Sequence, residues 1–141
     1  MKKRFKNWKK PKIQEGKLTK WNWMVQHKKN LKLGKNVDIG AFTYINAKNG
    51  VVIEDYVQIG GGVKIYSLDT ISNTEGKVIL KKNSKIGANS VILPNTVIGE
   101  NSVIGACSVI RYGTNIPANE IWAGAPAKKI GIIKNNKRAY E

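Results

Sequence analysis

The chain has 141 residues, with 25 Lys and Arg against nine Asp and Glu and a formal net charge of +16. This length suits one domain and argues against multidomain machinery. The single cysteine, Cys107, excludes an intramolecular disulfide framework and a cysteine-rich zinc site, and no metal site is predicted. No long apolar run follows the basic start, so we expect a cytoplasmic protein without a secretory signal or a membrane-spanning helix.

The positive charge is confined to the two ends of the chain. Residues 1–35 carry 13 Lys or Arg and one acid, Glu15, whereas residues 36–127 hold seven basic and seven acidic residues. Residues 128–141 add five basic residues and one acidic residue. The neutral middle shows no basic face and no recognised nucleic-acid-binding module, so a nucleic-acid partner is not expected.

Residues 1–32 form a basic N-terminal arm that also contains Phe5, Trp8, Trp21 and Trp23. Two interpretations stay open. The mixture suits contact with a polyanion or with a membrane surface that carries anionic lipid, at the periphery of the inner membrane. Alternatively, Trp21, Trp23 and Met24 cap the apolar end of the structure that follows while the lysines remain in water.

A six-residue period runs through the middle of the chain. Aliphatic residues recur at Leu33, Ile39 and Ile45, then Ile53, Ile59 and Ile65, then Leu80, Ile86, Ile92, Ile98, Ile104, Ile110 and Ile116. This period fits neither an α-helix nor an alternating strand. It predicts an all-β triangular solenoid over residues 33–121, with four to five coils whose short strands point the aliphatic residues inward. The Gly and Asn residues near the corners are expected to adopt backbone angles that β-branched residues resist.

The period breaks twice. The step is eight residues between Ile45 and Ile53 and fifteen between Ile65 and Leu80, so residues 66–79 are predicted to leave the coil as a loop excursion. Loops that project from a rigid scaffold are the usual place for function. The excursion is therefore the first candidate for a site.

Two stretches resemble a known family. IGANSVILPNTVIGENSVIGACSVI, over residues 86–110, and WAGAPAKKI, over residues 122–130, resemble the hexapeptide-repeat acyltransferases, which fold as left-handed parallel β-helices. They are similar in particular to bacterial sugar O-acetyltransferases of the maltose and galactoside acetyltransferase type. The resemblance implies a homotrimer, acetyl-CoA as acyl donor and active sites between subunits, with residues 122–141 as a terminal G-x-P-A-K element and basic tail.

The catalytic base is the main departure from that family. In the acetyltransferases that the chain resembles, the excursion carries a catalytic His, and alignment on residues 63–66 puts Thr70 at that position. The only His is His27, just before the first predicted coil, which could reach a groove only by folding back or from an adjacent subunit. His27 and Asp69 are the candidate bases, each with the alternative that it is structural or solvated. A third solution uses no protein base, because an amine acceptor is nucleophilic once deprotonated.

Candidate acceptor-binding residues lie beside the excursion. Asn46 resembles the acceptor-contacting Asn of sugar acetyltransferases, with a left-handed corner or ladder Asn as the alternative. Ser67 and Thr70 are the hydroxyl candidates in the excursion itself.

The donor site is predicted from the family pattern. The resemblance implies that the pantetheine arm lies along small residues, here Ala88, Ala106 and Cys107. The nucleotide end would then meet the terminal motif. The residues for that end are Gly124, Pro126 and Lys128, with Arg111 and Lys129 as further phosphate partners.

These observations predict an acyl-CoA-dependent transferase that acylates a hydroxyl or amino group of a sugar or nucleotide sugar for surface polysaccharide. The absent loop His shifts weight toward N-acylation or toward an atypical O-acyltransferase. The alternative is a catalytically inactive solenoid that binds or scaffolds other molecules.

Overall fold

The structure, a computed structural model, describes residues 2–141. They form a triangular parallel β-solenoid of five coils, a left-handed β-helix, with only two 3-10 turns, Lys2–Phe5 and Lys28–Asn30. Each coil contributes one short strand to each of three faces, which confirms the predicted fold class. No helix among these residues has the length and apolar character needed to cross a bilayer.

Strands of neighbouring coils stack in register on each face. Face 1 consists of β1 (Met24–Gln26), β4 (Tyr44–Asn46), β7 (Lys64–Tyr66), β12 (Val91–Ile92) and β15 (Val109–Ile110). Face 2 consists of β2 (Leu31–Leu33), β5 (Val51–Ile53), β10 (Val78–Leu80), β13 (Thr96–Ile98) and β16 (Asn115–Ile116). Face 3 consists of β3 (Asp38–Ile39), β6 (Gln58–Ile59), β11 (Lys85–Ile86), β14 (Val103–Ile104) and β17 (Glu120–Gly124), continued by antiparallel β18 (Ala127–Lys134) and β19 (Lys137–Tyr140). A hairpin of β8 (Leu68–Asp69) and β9 (Thr74–Glu75) stands outside the faces.

The core is the stack of inward aliphatic side chains that the period predicts. Ile45, Ile65 and Ile92 stack on face 1 and are fully buried, and the inward Ile and Leu residues of faces 2 and 3 from Ile39 to Ile116 are buried as well. Leu33, in the first coil, is half-buried. Burying one such side chain contributes roughly 1.5–3 kcal/mol, so the stack supplies most of the driving force for folding.

The three corners differ in chemistry and are named here by their residues. The hairpin corner joins face 1 to face 2 (27–30, 47–50, 67–77, 93–95, 111–114), and the asparagine corner joins face 2 to face 3 (34–37, 54–57, 81–84, 99–102, 117–119). The glycine corner joins face 3 to face 1 (40–43, 60–63, 87–90, 105–108). At the asparagine corner, Asn83, Asn101 and Asn119 have positive φ and their side-chain amides form a ladder, with N···O distances of 2.8 and 3.1 Å.

Two of the corner glycines that were predicted to supply special backbone angles serve a different purpose. Gly60 and Gly87 have no positive φ. A Cβ at Gly60 would lie 2.6 Å from the backbone nitrogen of Ala88 in the next coil. Gly60 and Gly87 therefore permit the close approach of adjacent coils. The left-handed positions of the glycine and asparagine corners are held mostly by Asn, with Phe42, Tyr56, Gly62 and Cys107 as the other occupants.

The coil begins earlier than residue 33 and the excursion is shorter than residues 66–79. Strand β1 pairs with β4 through Met24↔Tyr44, so residues 24–32 already belong to the first coil. Tyr66 lies in β7 and Val78 in β10, which leaves residues 67–77 outside the strands of the coil. The period missed β1 because Val25, rather than Ile or Leu, fills its inward position and stands eight rather than six residues before Leu33.

The N-terminal arm covers the first coil. Trp23 is buried and joins the core cluster, whereas Trp21 is 45% exposed and does not cap the coil. Trp8 donates its indole N–H to the carbonyl of Val37 at 2.8 Å, and the ring of Phe5 packs edge-on against Tyr56. Capping is therefore shared by Phe5, Trp8 and Trp23.

Candidate active site

A groove of about 340 Å³ runs along face 3 beside the glycine corner. Its floor is formed by Gly60, Gly87 and Gly105, and its edge by Ala88 and Ala106. Small residues leave the backbone accessible over three successive coils. Because coils repeat every ~4.8 Å, this strip can follow an extended, amide-containing chain such as a pantetheine arm.

Three cations stand over this groove. Lys85, Arg138 and Arg4 line it, and its one carboxylate, Asp38, is ion-paired with Arg4. Burial, with a smaller contribution from the nearby Arg138 charge, lowers the pKa of Lys85. The groove therefore combines an accessible backbone with positive charge, as a phosphorylated ligand requires.

Lys85 and Arg138 are not among the site residues predicted from the sequence. Lys85 directly precedes the inward Ile86, so the period does place its side chain outward on face 3, and that signal could have found it. Arg138 comes to the groove only because β19 folds back along β18, and nothing in the six-residue period encodes that turn.

Most of the predicted donor residues lie together at the glycine corner. Ala88, Ala106 and Cys107 follow one another up this corner, and the peptide N–H of Cys107 donates to the carbonyl of Ala88 at 2.8 Å. The terminal motif begins directly after the last of these coils, and the peptide N–H of Gly124 donates to the Ser108 hydroxyl at 3.1 Å. Pro126 and Lys128 continue the same turn and are exposed.

Two predicted phosphate partners lie elsewhere or are already paired. Arg111 belongs to the hairpin corner, on the opposite edge of face 1 from Cys107. Lys129 is held by two carboxylates, with its ammonium 3.4 Å from Glu120 and 3.9 Å from Glu141. Neither residue is grouped with the groove cations.

The hairpin carries Asp69 and Thr70 away from the coil. The carboxylate of Asp69 accepts the Ser72 hydroxyl at 2.6 Å and the peptide N–H of Ile71 at 3.1 Å, which closes the tip. The Ser72 hydrogen bond is the main reason that the pKa of Asp69 is lowered. A carboxylate with a lowered pKa is a weaker base, and both oxygens of Asp69 are already hydrogen-bonded within the turn. Asp69 therefore suits a structural role in the hairpin tip better than proton abstraction. Thr70 is exposed at the same tip.

Ser67 is a structural residue of the hairpin corner rather than a ligand contact. It is fully buried, its hydroxyl donates to the carbonyl of Asn46 at 2.7 Å, and it accepts the peptide N–H of Asn49 at 2.9 Å. The buried hydroxyl has no surface to offer a substrate. Ser67 ties the base of the hairpin to the coil below.

His27 lies inside the first coil at the hairpin corner, not ahead of the coil. The register of β1, β4 and β7 places it below residue 47 and below Ser67, so two coil spacings, roughly 10 Å, separate it from the base of the hairpin. Its backbone is left-handed and its peptide N–H donates to the Glu15 carboxylate at 2.7 Å. The peptide N–H groups of Lys28 and His27 lower the pKa of Glu15, the one acid of residues 1–35.

The outer surface of face 1 below the hairpin is polar and aromatic. Gln26, Asn46 and Tyr66 stack in register, and the Tyr44 hydroxyl is hydrogen-bonded to Gln26. The rings of Tyr44 and Tyr66 lie 5.7 Å apart. Asn46 is in a regular strand rather than a left-handed corner, and its side-chain oxygen accepts the peptide N–H of Lys48 at 3.1 Å.

Within one chain, the candidate donor-binding residues and the candidate acceptor-binding residues lie at different corners. The glycine corner holds the donor residues, the hairpin corner holds His27 and the hairpin, and a strand of face 1 lies between them. From Cys107 to Arg111, across that strand, the chain spans roughly 13 Å at 3.3 Å per residue. A complete site therefore requires either a long ligand across face 1 or the two corners of neighbouring copies.

The repeat region matches a known family. Residues 77–112 match the bacterial transferase hexapeptide (six repeats) model. AntD, an N-acyltransferase from Bacillus cereus, is 26% identical with a TM-score of 0.69 over 83% of this chain and 79% of its own, in a complex with dTDP and 3-hydroxybutyryl-CoA. A mutant of AntD in complex with dTDP-4-amino-4,6-dideoxyglucose and coenzyme A is 30% identical, with a TM-score of 0.57 over 81% of this chain and 72% of its own. The chain belongs to the hexapeptide-repeat acyltransferase family.

Two further relatives define how far the likeness extends. Delta-poly-L-ornithine synthetase of Acinetobacter baumannii (strain AB307-0294) is 33% identical over 112 residues, which are 78% of this chain but 8% of that protein. This chain thus spans less than a tenth of that curated relative. A hexapeptide-repeat acetyltransferase from Vibrio cholerae O1 biovar eltor, complexed with acetyl coenzyme A, has a TM-score of 0.74 at 21% identity over 80% of this chain and 66% of its own, which supports the fold alone.

Proposed function

We propose that this hexapeptide-repeat protein is an acyl-CoA-dependent N-acyltransferase whose acceptor is the amino group of a nucleotide-linked sugar. The observation that carries the proposal is the face 3 groove, where an accessible strip of Gly and Ala backbone lies beneath Lys85 and Arg138. Its length and charge suit the pantetheine arm and phosphates of coenzyme A. AntD, an N-acyltransferase crystallised with a dTDP-amino sugar and coenzyme A, supports this choice of donor and acceptor.

In the proposed reaction, the main task of the protein is to hold the acceptor amine next to the thioester. A deprotonated acceptor amine attacks the thioester carbonyl, the carbon–sulfur bond breaks, and the coenzyme A thiolate takes up the proton that the amine loses. Asp69 is engaged in the hairpin turn, and His27 lies about two coils below the hairpin. Holding amine and thioester together can supply much of the acceleration without a protein base.

The site is proposed to form between copies of a homotrimer. Within one chain, the donor candidates and the hairpin lie on opposite edges of face 1. Face 2 also presents an outward ladder of half-buried apolar residues, Val52, Ile79 and Val97, which stack in register and would suit a subunit contact. In such an assembly the hairpin of one copy can close the groove of the next. An N-acylated nucleotide sugar is a building block for surface polysaccharide.

Thiol release from acetyl-CoA and longer acyl-CoA donors tests the proposal. We expect release with nucleotide-linked amino sugars and none with the corresponding hydroxyl sugars. His27→Ala should retain activity within about tenfold, since one general base contributes typically 10²–10⁴-fold. Loss of 100-fold or more would make His27 the base. Coenzyme A binding without any turnover across such a panel would instead support a non-catalytic solenoid.

A further inference from the structure

The N-terminal arm and the first coil enclose a basin that shares only the Arg4–Asp38 ion pair with the face 3 groove. It measures about 980 Å³, and Phe5, Trp8, Trp21 and Trp23 line it. Phe5 and Trp23 are buried, and Trp8 is held by its 2.8 Å hydrogen bond to Val37. The apolar wall is therefore fixed by contacts with the solenoid.

The rim of this N-terminal basin is strongly basic. Five lysines, Lys3, Lys9, Lys10, Lys12 and Lys20, line it together with Arg4. Its one acid, Asp38, is paired with Arg4. Along the part of the rim that the structure describes, the five lysines have no carboxylate partner. The basin thus offers unpaired positive charge around an apolar wall.

A rigid turn projects from the edge of the basin. The buried Thr19 hydroxyl accepts the peptide N–H groups of Trp21 and Trp23, both at 3.3 Å, and its own peptide N–H donates to the Trp23 carbonyl at 2.8 Å. This anchoring leaves Leu18 54% exposed and Trp21 45% exposed. The ammonium of Lys20 lies 5.4 Å from the Trp21 ring centroid.

We propose that this end of the solenoid docks on a bilayer containing anionic phospholipid. Leu18 and Trp21 enter the interfacial layer, and Lys17, Lys20 and the rim lysines contact lipid phosphates. Trp suits the interface because its ring is apolar and its N–H is polar. Charge complementarity selects the anionic surface, while the two projecting apolar side chains distinguish a bilayer from a soluble polyanion. The inference does not depend on the proposed acyltransferase activity.

Vesicle co-flotation of the full chain tests this docking surface. Vesicles of phosphatidylcholine with 30% phosphatidylglycerol are compared with phosphatidylcholine alone. We expect binding to the first and not the second. Each lysine near an anionic surface changes partitioning about fivefold, so Lys17→Gln/Lys20→Gln should weaken it about 25-fold. Leu18→Ser/Trp21→Ser should weaken it at least tenfold.

Matched control variants distinguish binding through this surface from the effects of overall charge and of nonspecific hydrophobic association. Lys134→Gln/Lys137→Gln makes the same charge change in exposed strands β18 and β19, and Ile71→Ser removes an apolar side chain that is 94% exposed at the hairpin tip. Both should bind vesicles like the wild type, with unchanged melting temperature in every variant. Equal binding to neutral vesicles, no binding to either composition, or equal losses in the controls would overturn the proposal. Unimpaired vesicle binding by Leu18→Ser/Trp21→Ser, together with displacement by a 20-nucleotide single strand, would reassign the basin to a soluble polyanion.

Discussion

Replacing Gly60 with Ala tests how the coils are stacked. The added Cβ would lie 2.6 Å from the nitrogen and 2.9 Å from the Cα of Ala88. Favourable contacts begin near 3.5 Å, so the two coils would have to separate locally by roughly 0.6–0.9 Å. They cannot do so freely, because the Gly60 N–H donates to the Ile86 carbonyl at 2.8 Å. We expect a loss of about 3 kcal/mol in the free energy of unfolding, the upper end of the overpacking range.

Thermal unfolding followed by circular dichroism measures this effect. A loss of about 3 kcal/mol should lower the melting temperature by roughly 10 °C for a chain of this size, compared at one protein concentration. Gly113→Ala is the control, because its Cβ meets nothing within 4 Å and its φ of +76° adds only left-handed strain, about 1–2 kcal/mol. The reasoning fails if Gly60→Ala melts within about 2 °C of the wild type, or if Gly113→Ala is the more destabilised variant.

Three further outcomes follow from the same structure. Ile98→Ala should cost about 2–5 kcal/mol in urea unfolding, because its side chain is fully buried, whereas Val109→Ala, half-buried on the outer surface of face 1, should cost less than half as much. Asn101→Ala should destabilise the chain more than Asn101→Gly, since both remove the amide ladder but only Ala is strained at a φ of 63°. The hairpin should loosen in acid, because Asp69 has a lowered pKa and stabilises the tip only while ionised. The protection factors of residues 68–75, which are exchange rates compared with those of an unstructured peptide at the same pH, should therefore be unchanged from pH 7 down to 5 and fall as the pH drops through the lowered pKa of Asp69. A fall already complete at pH 5 would contradict this.

The sequence was sufficient to predict the core of the fold. A period of six gives each unit one short strand, one corner and one inward aliphatic residue, so Ile86, Ile92 and Ile98 were predicted to face a common interior. The structure buries all three. The resemblance of residues 86–110 and 122–130 to hexapeptide-repeat acyltransferases then predicted the left-handed coil and the family. The similarity to AntD confirms that family assignment.

The period could not predict contacts that arise from stacking or from departures of the chain. Gly60 is explained by its distance to the next coil rather than by its own backbone angle. Ser67 looked available in sequence because the excursion was expected to start at Tyr66, but it is the buried anchor of the hairpin. Arg138 comes to the donor groove through the β18–β19 turn, which has no signature in the repeat.

The location of His27 shows a further limit of the repeat pattern. Strand β1 lacks the Ile or Leu that marks the later coils, so the first coil was not visible before Leu33. The structure uses Val25 there and closes the corner with Glu15, which accepts the peptide N–H groups of His27 and Lys28. Val25 also stands eight residues before Leu33, so a search would have had to accept both Val at the inward position and the eight-residue step that separates Ile45 from Ile53.

Calorimetric titration with coenzyme A tests the central proposal, that the face 3 groove is the donor site. The wild type should bind, and Lys85→Gln/Arg138→Gln should bind at least about tenfold more weakly, because hydrogen bonds to charged groups contribute about 1.5–3 kcal/mol each. Lys134→Gln/Lys137→Gln, which removes the same charge from exposed positions of β18 and β19, should bind like the wild type. No binding by the wild type, or equal affinity for the groove variant and the control, would contradict the assignment of the groove.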